Sequence, residues 1–348
     1  MQTRIIVPLD GSRPAEHALP HALALARATG SELTLLHVVS IPQAANPLVW
    51  GVRAVSTASA IRDELVESAH EYLRDITSRL GSEASEGMTV QVEVLEGEAA
   101  EAIVVYAEQH PEVVMTVMTT RGRSGLTRWV LGSVAEKVLQ ASPVPLVLIR
   151  PQVGSENQAE VDASAFGRWG LPAIPTYRTI LVPLDFSLLA EEALPHARAL
   201  ATATGAALLL VSVMPLPYPI DLPGPDQVTR DDANNAEAGS LLPPRQSVAK
   251  ALKEVYEREK VALTQYLASV ARRVEEAGTP RIEVRMRDLE GDAAKEILRA
   301  SSEGGADLIV MSTQGRGGLA RLWPGSVAMS VVREAALPVL LVPAHLAR

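Results

Sequence analysis

The chain has 348 residues, enough for two domains of ordinary size that each bury a core. It contains no cysteine, which excludes a disulfide scaffold, a thiolate zinc site and a cysteine nucleophile. A net charge of −9, from 32 basic against 41 acidic residues, disfavours sequence-independent binding to DNA or RNA. A phosphate pocket stays open to it, because such a pocket needs only local positive potential from backbone amides.

The start, MQTRIIVPLDGS, enters a strand at once and lacks the charged, apolar and small-residue segments of a signal peptide. No window approaches about 18 uninterrupted apolar residues. A cytoplasmic protein without membrane contact is expected. Aromatic residues make up only 3% of the chain, so the core must come from Ala, Val, Leu and Ile. Parallel sheets covered by Ala-rich helices have that composition.

In chain order, Ile5–Leu9 is an apolar run of strand length, and an Ala/Leu-rich helix follows over Pro14–Thr29. Leu33–Val39 is the second strand. A helix over Ala58–Leu80 carries Leu65, Ala69 and Leu73 on one face at four-residue spacing. Then come strand Thr89–Leu95, helix Ala99–Gln109, strand Val113–Met118, helix Ser133–Ala141 and strand Pro145–Ile149. Five strands alternating with four helices predict a parallel, doubly wound sheet. Such sheets bind ligands outside the carboxyl ends of their strands, where the strand order reverses.

The pattern then repeats. Residues 6–30 (IVPLDGSRPAEHALPHALALARATG) recur at 181–205 (LVPLDFSLLAEEALPHARALATATG), with Asp10 matching Asp185 at an offset of 175. GRSGLTRWVLGSVAEKV from Gly122 recurs as GRGGLARLWPGSVAMSV from Gly315 at an offset of 193, so the second copy is 18 residues longer. The expected fold is α/β, with two repeated, doubly wound, five-stranded parallel-sheet domains of Rossmann-like type. Their expected bounds are residues 1–150 and 177–348, with a linker at 151–176. An irregular insertion at about 215–248 accommodates the extra length.

The strand Val113–Met118 leads into Thr119, Thr120, Arg121 and Gly122, then nine residues, then Gly132, Ser133 and a helix. A helix N-terminus favours an anion, and glycine lets a phosphate approach the backbone. The second copy repeats the arrangement with Ser312, Gly315, Gly325 and Ser326. Asp10 and Asp185 end the first strand of each copy. A carboxylate there can accept from ribose hydroxyls, help hold a divalent metal, or serve as a helix cap or turn residue. His21 and His196 occupy equivalent helix positions without converging serine or acid, and read as structural.

Strand-ending VPLD with a following Ser, the segments LLHVV and EGEAAEAI, and GRSGLTRWVLGSVAEKVL before PVPLVLI together resemble the universal stress protein family. The resemblance covers nearly all of both halves. It implies an adenine nucleotide α-hydrolase-like fold and a loop of pattern G-x-x-G-(nine residues)-G-[S/T]. Carried over, the second glycine is Gly122 or Gly315, the third is Gly132 or Gly325, and the hydroxyl is Ser133 or Ser326. It also implies contacts from the strand-end Pro8 and Pro183. Asp10 and Asp185 would face ribose and phosphates, Val38 and Val213 the adenine with Met118 and Met311 beside it, and Val134 and Val327 would offer N–H groups to phosphate. The implied cofactor is ATP, ADP or AMP, with magnesium near Asp10 and Asp185. The last strands, Pro145–Ile149 and Pro338–Val342, are implied to pair within the chain, with further homodimerisation left open.

The sequence departs from that pattern at the first glycine, replaced by Thr119 and Ser312, each adding a Cβ and a hydroxyl where ribose and phosphate should lie. Phe186 in place of Gly11, and Pro324 before Gly325, are further departures in the second copy. The reading is a regulatory or stress-response protein binding nucleotide in each domain. Its rivals are a nucleotide-free interaction module and, ranked last for want of a water-activating base, a slow ATP hydrolase.

Overall fold

The computed structural model describes residues 2–40, 52–84, 88–121, 131–151, 173–215, 245–277, 282–314 and 324–344. The first half runs β1 (Arg4–Leu9), α1 (Arg13–Glu16), α2 (Ala18–Thr29), β2 (Glu32–Val39), α3 (Val52–Ala84), β3 (Val90–Glu96), α4 (Ala99–Gln109), β4 (Val113–Thr119), α5 (Ser133–Ala141) and β5 (Leu146–Ile149). The second runs β6 (Thr179–Pro183), α6 (Leu188–Glu191), α7 (Ala193–Thr204), β7 (Ala207–Met214), α8 (Arg245–Glu276), β8 (Val284–Glu290), α9 (Ala293–Glu303), β9 (Leu308–Ser312), α10 (Ser326–Glu334) and β10 (Val339–Val342). The expected insertion falls mostly on residues 216–244 and the expected linker mostly on 152–172, both outside the described residues.

The helix expected over Pro14–Thr29 is two helices. Ser12 caps α1, its hydroxyl accepting from the Ala15 N–H at 3.3 Å, and the chain breaks at His17. Pro20 supplies the reason: it has no N–H, and its ring would strike the Glu16 carbonyl four residues earlier in a continuous helix. Pro195 imposes the same break at Glu192, after Ser187 caps α6. Both second helices stop at a left-handed glycine, Gly30 (φ 66°) and Gly205 (φ 74°). In α3, Ala69 and Leu73 are buried as their spacing predicts, whereas Leu65 is exposed. Gly81 (φ 52°) interrupts that helix just past Leu80.

The ten strands form one sheet in the order β3-β2-β1-β4-β5-β10-β9-β6-β7-β8. Every described neighbouring pair is parallel except β5 and β10, which meet antiparallel through Leu146↔Leu341, Val147↔Leu340 and Leu148↔Val339. The last strands of the two copies therefore pair within the chain, as the resemblance implies. Alternating side chains supply a core on each face. Ile5, Val7 and Leu35 pack on the face of α2 and α3, while Ile6, Leu36 and Met118 pack on that of α4 and α5. Each core layer runs through both halves. The outer strands β3 and β8 carry Glu93, Arg285, Arg287 and Asp288, charges that discourage further edge pairing.

Within each half the chain winds outward over its first three strands and then returns to the other side of the first. The reversal lies between β1 and β4, and again between β6 and β9.

One polar contact ties the start of the second half to α2: His21 Nδ1 and the Tyr177 hydroxyl lie 2.9 Å apart. Burial, and secondarily His17, lower the His21 imidazole from 6.5 to about 4. The unfolded chain then takes up a proton that the folded chain refuses between those two values. Stability is lost as the pH falls through that window and is unaffected by this group above it. Urea denaturation should show a loss of about 2 kcal/mol from this residue between about pH 7 and pH 4.5. His21→Gln should flatten that part of the profile.

Candidate functional site

Each reversal point holds a cavity at the carboxyl edge of the sheet, of about 260 Å³ in the first half and about 300 Å³ in the second. In the first, Pro8 and Asp10 come from the end of β1, Val38 from β2, and Met118 and Thr119 from β4. Gly132, Ser133 and Val134 close it from the start of α5. The second is lined by the matching set Pro183, Asp185, Val213, Met311, Ser312, Gly325, Ser326 and Val327. Eight of the nine residues expected in each copy thus converge on one space. The ninth, Gly122 or Gly315, lies outside the described residues.

The floor of each cavity is apolar. Leu36 and Val38 on β2 face Met118 on β4 and Ile103 on α4. The α4 contribution, Ala99 and Ile103, is missing from the sequence reading, as are Ala293 and Ile297 in the second copy. The signal for it was available: EGEAAEAI and EGDAAKEI repeat between copies, and positions four apart on a helix share a face.

The two carboxylates are held by turns. Asp10 Oδ1 accepts from the Ser12 N–H at 3.0 Å and from the Ser12 hydroxyl at 2.6 Å. Asp185 repeats this with Ser187 at 3.0 and 2.5 Å. The helix cap is therefore the serine, and the aspartate holds that serine while remaining in the cavity wall.

The loop that returns to α5 is closed by the Gly132 N–H, which donates to the Thr120 carbonyl at 2.8 Å; the Gly325 N–H donates to the Thr313 carbonyl at 2.6 Å. Neither glycine offers a side-chain cap to the helix it starts. Ser12, Glu98, Ser187 and Asp292 cap α1, α4, α6 and α9, while α2 and α7, which follow directly on α1 and α6, have no side-chain cap. Of the helices whose first residues line the cavities, α4 and α9 are capped by carboxylates, whereas α5 and α10 present first-turn N–H groups and the positive end of the helix dipole without a carboxylate or hydroxyl cap.

Thr119 and Ser312, which replace the expected first glycine, are both buried. The Thr119 hydroxyl donates to the Arg121 carbonyl at 2.6 Å, and the Ser312 hydroxyl accepts from the Gln314 N–H at 3.3 Å. Each hydroxyl thus finds a partner in the backbone of its own loop. Each fixes the backbone two residues past its strand end, at Arg121 or Gln314. Among the described lining residues, the ionisable groups are Asp10 and Arg121 in the first cavity and Asp185 in the second.

The arrangement defines a class: a tandem doubly wound α/β protein with an apolar-floored cavity at the reversal point of each half. The profile of the Universal stress protein family matches residues 1–150 and 176–343, and the chain belongs to that family. Universal stress protein MJ0531 of Methanocaldococcus jannaschii is 32% identical over 147 residues, spanning 42% of this chain and 81% of the relative. Universal stress protein Rv2005c of Mycobacterium tuberculosis is 24% identical over 345 residues, 98% of this chain and 97% of its own. The crystal structure of a universal stress protein from Archaeoglobus fulgidus shares the fold across 98% of both chains, with a TM-score of 0.58 at 22% identity.

The two loop glycines differ in tightness. A Cβ at Gly132 would lie 3.1 Å from the Thr120 carbonyl oxygen, whereas one at Gly325 would lie 3.6 Å from that of Thr313. Gly132→Ala should cost about 1 kcal/mol of stability through displacement of the loop, and Gly325→Ala clearly less. Denaturation curves of the two single variants measure the difference.

Proposed function

We propose that the protein binds an adenine nucleotide in each half, ATP first among candidates, and acts in a regulatory role. What carries the reading is the meeting of an apolar slot, a strand-end carboxylate and an uncapped helix N-terminus in both copies. An adenosine phosphate needs these three features in that sequence. The flat base fits between Val38 and Met118, or Val213 and Met311. Asp10 and Asp185 accept from ribose hydroxyls. Phosphate oxygens lie against the first-turn N–H groups of α5 and α10, with Ser133 and Ser326 as hydroxyl donors.

A cavity of about 260 or 300 Å³ takes the nucleoside end, with the phosphates directed toward the start of α5 or α10. Among the described residues each cavity contributes one carboxylate, so a magnesium ion would be carried mainly by phosphate oxygens and water, with Asp10 or Asp185 close by. Membership in the universal stress protein family supports the same reading.

Freshly purified full-length protein should release ATP or ADP on denaturation, identified by chromatography and mass. Gly132→Val with Gly325→Val should release none, and either substitution alone should halve the amount. Wild-type protein that emerges empty and fails to bind added ATP with magnesium would overturn the proposal. The nucleotide-free interaction module would then take its place.

A further inference from the structure

The first half has a second cavity, of about 410 Å³, on the opposite face of the sheet from the first. It lies between the end of β2, the Gly11 turn and α3, where Ala69 and Tyr72 form its inner wall and Leu65 and Ser68 its rim. Strand alternation separates it from the nucleotide cavity: Val38 packs with the layer of α4 and α5, so His37 and Val39 stand on the α3 side. Val38 is the one residue common to the two linings. Leu65, expected in the core from its spacing, is exposed at the rim of this space.

The second half indicates what such a space holds. Gly11 corresponds to Phe186 at the repeat offset of 175. On α3 and α8 the offset is 194, anchored by the matched ion pairs Arg79–Glu16 at 2.9 Å and Arg273–Glu191 at 2.7 Å. Tyr72 therefore corresponds to Tyr266, and Ala69 to Leu263. In the second half the Phe186 ring stacks on Tyr266, with centroids 4.5 Å apart and planes inclined by 23°. Leu263, three residues before Tyr266 on the same helix, is buried.

The Phe186 ring is held at a backbone cost. Its φ of 67° is the sole positive value at a non-glycine position among the described residues. That conformation costs an ordinary residue about 1–2 kcal/mol. Gly11, at φ 82°, takes the same backbone course without a ring. The first half thus keeps the tyrosine, loses the phenyl ring that would stack on it and has alanine for leucine on the helix. It also has an imidazole in place of a hydroxyl, because His37 stands where the second copy has Ser212, and its ring meets Tyr72 edge-on at 5.7 Å.

We propose that this cavity is a second ligand site, taking a small planar aromatic molecule that stacks on Tyr72 as Phe186 stacks on Tyr266. His37 and Ser68 supply polar groups for the ligand's edge. The site is independent of nucleotide binding and belongs to the first half alone, since the second half fills the equivalent space with its own side chains.

Titration of the full-length protein with 5-fluoroindole, followed by fluorine NMR, tests this directly. One saturable site per chain is expected. Ala69→Leu and Gly11→Phe, which copy residues the second half already accommodates, should each weaken binding by about tenfold or more, roughly 1.4 kcal/mol. Excess ATP with magnesium should leave the probe bound. The proposal fails if the wild type shows no saturable binding, if ATP displaces the probe, or if Ala69→Leu leaves its affinity unchanged. Ala69→Leu decides the matter should Gly11→Phe not fold, because it lies on α3 and leaves the Asp10 turn intact.

Discussion

The antiparallel pairing of β5 with β10 is the contact on which the rest of the molecule depends. Each strand is four residues long, LVLI and VLLV, and every residue in both is buried. Alone, either would leave an apolar edge with open backbone donors and acceptors, the arrangement that invites uncontrolled strand addition. Paired, they convert two five-stranded sheets into one of ten and make the core layers on both faces continuous. The strand order then reads symmetrically outward from the junction, so each copy places its reversal point at the same distance from it. The polar edge strands β3 and β8 are left to face solvent.

From that frame the chemistry of the main cavities follows by geometry. A doubly wound sheet must separate its helices to opposite faces where the strand order reverses, and the separated connections leave a crevice at the carboxyl ends. Into each crevice the chain places a helix begun by glycine in place of a capping side chain. Glycine at an N-cap costs only about a few tenths of a kcal/mol against a capping serine or aspartate, so these two helices keep accessible N–H groups at little loss of stability. The glycine also lets its own N–H close the loop against Thr120 or Thr313, fixing the turn that aims those groups.

The two copies agree closely on one face of the sheet and differ on the other. In the cavities at the two reversal points, Pro8, Asp10, Val38, Met118, Gly132, Ser133 and Val134 recur as identical residue types, and Thr119 and Ser312 both keep a hydroxyl. Across the sheet, Gly11, His37 and Ala69 face Phe186, Ser212 and Leu263. The physical content of the difference is volume and polarity: one copy fills the space with a stacked ring and a leucine, and the other leaves it open beside an imidazole.

Much of this was legible in the chain itself. Strand and helix types follow from apolar runs and four-residue spacing, which report burial directly, and α4 and α5 have the bounds their sequence predicts. Asp10, Gly132, Ser133 and their counterparts stand out because two copies of one pattern lie in one chain, whereas Pro8, Val38, Met118, Val134 and theirs came with the resemblance to the family. The repeated EGEAAEAI segment carried the α4 lining too, but a helix face names its partner only once the helix is docked.

What only the tertiary structure decided is where different segments meet. The role of Asp10 depends on a serine two residues away, and the partner of Thr119 on the course of the backbone to Arg121. Above all, the consequence of exchanging Phe186 for Gly11 was invisible as a local change. Its meaning comes from Tyr72 and Tyr266, some sixty to eighty residues further along each copy. Periodicity and spacing encode which face of an element is buried; the shape of what remains unfilled is a property of the packed elements together.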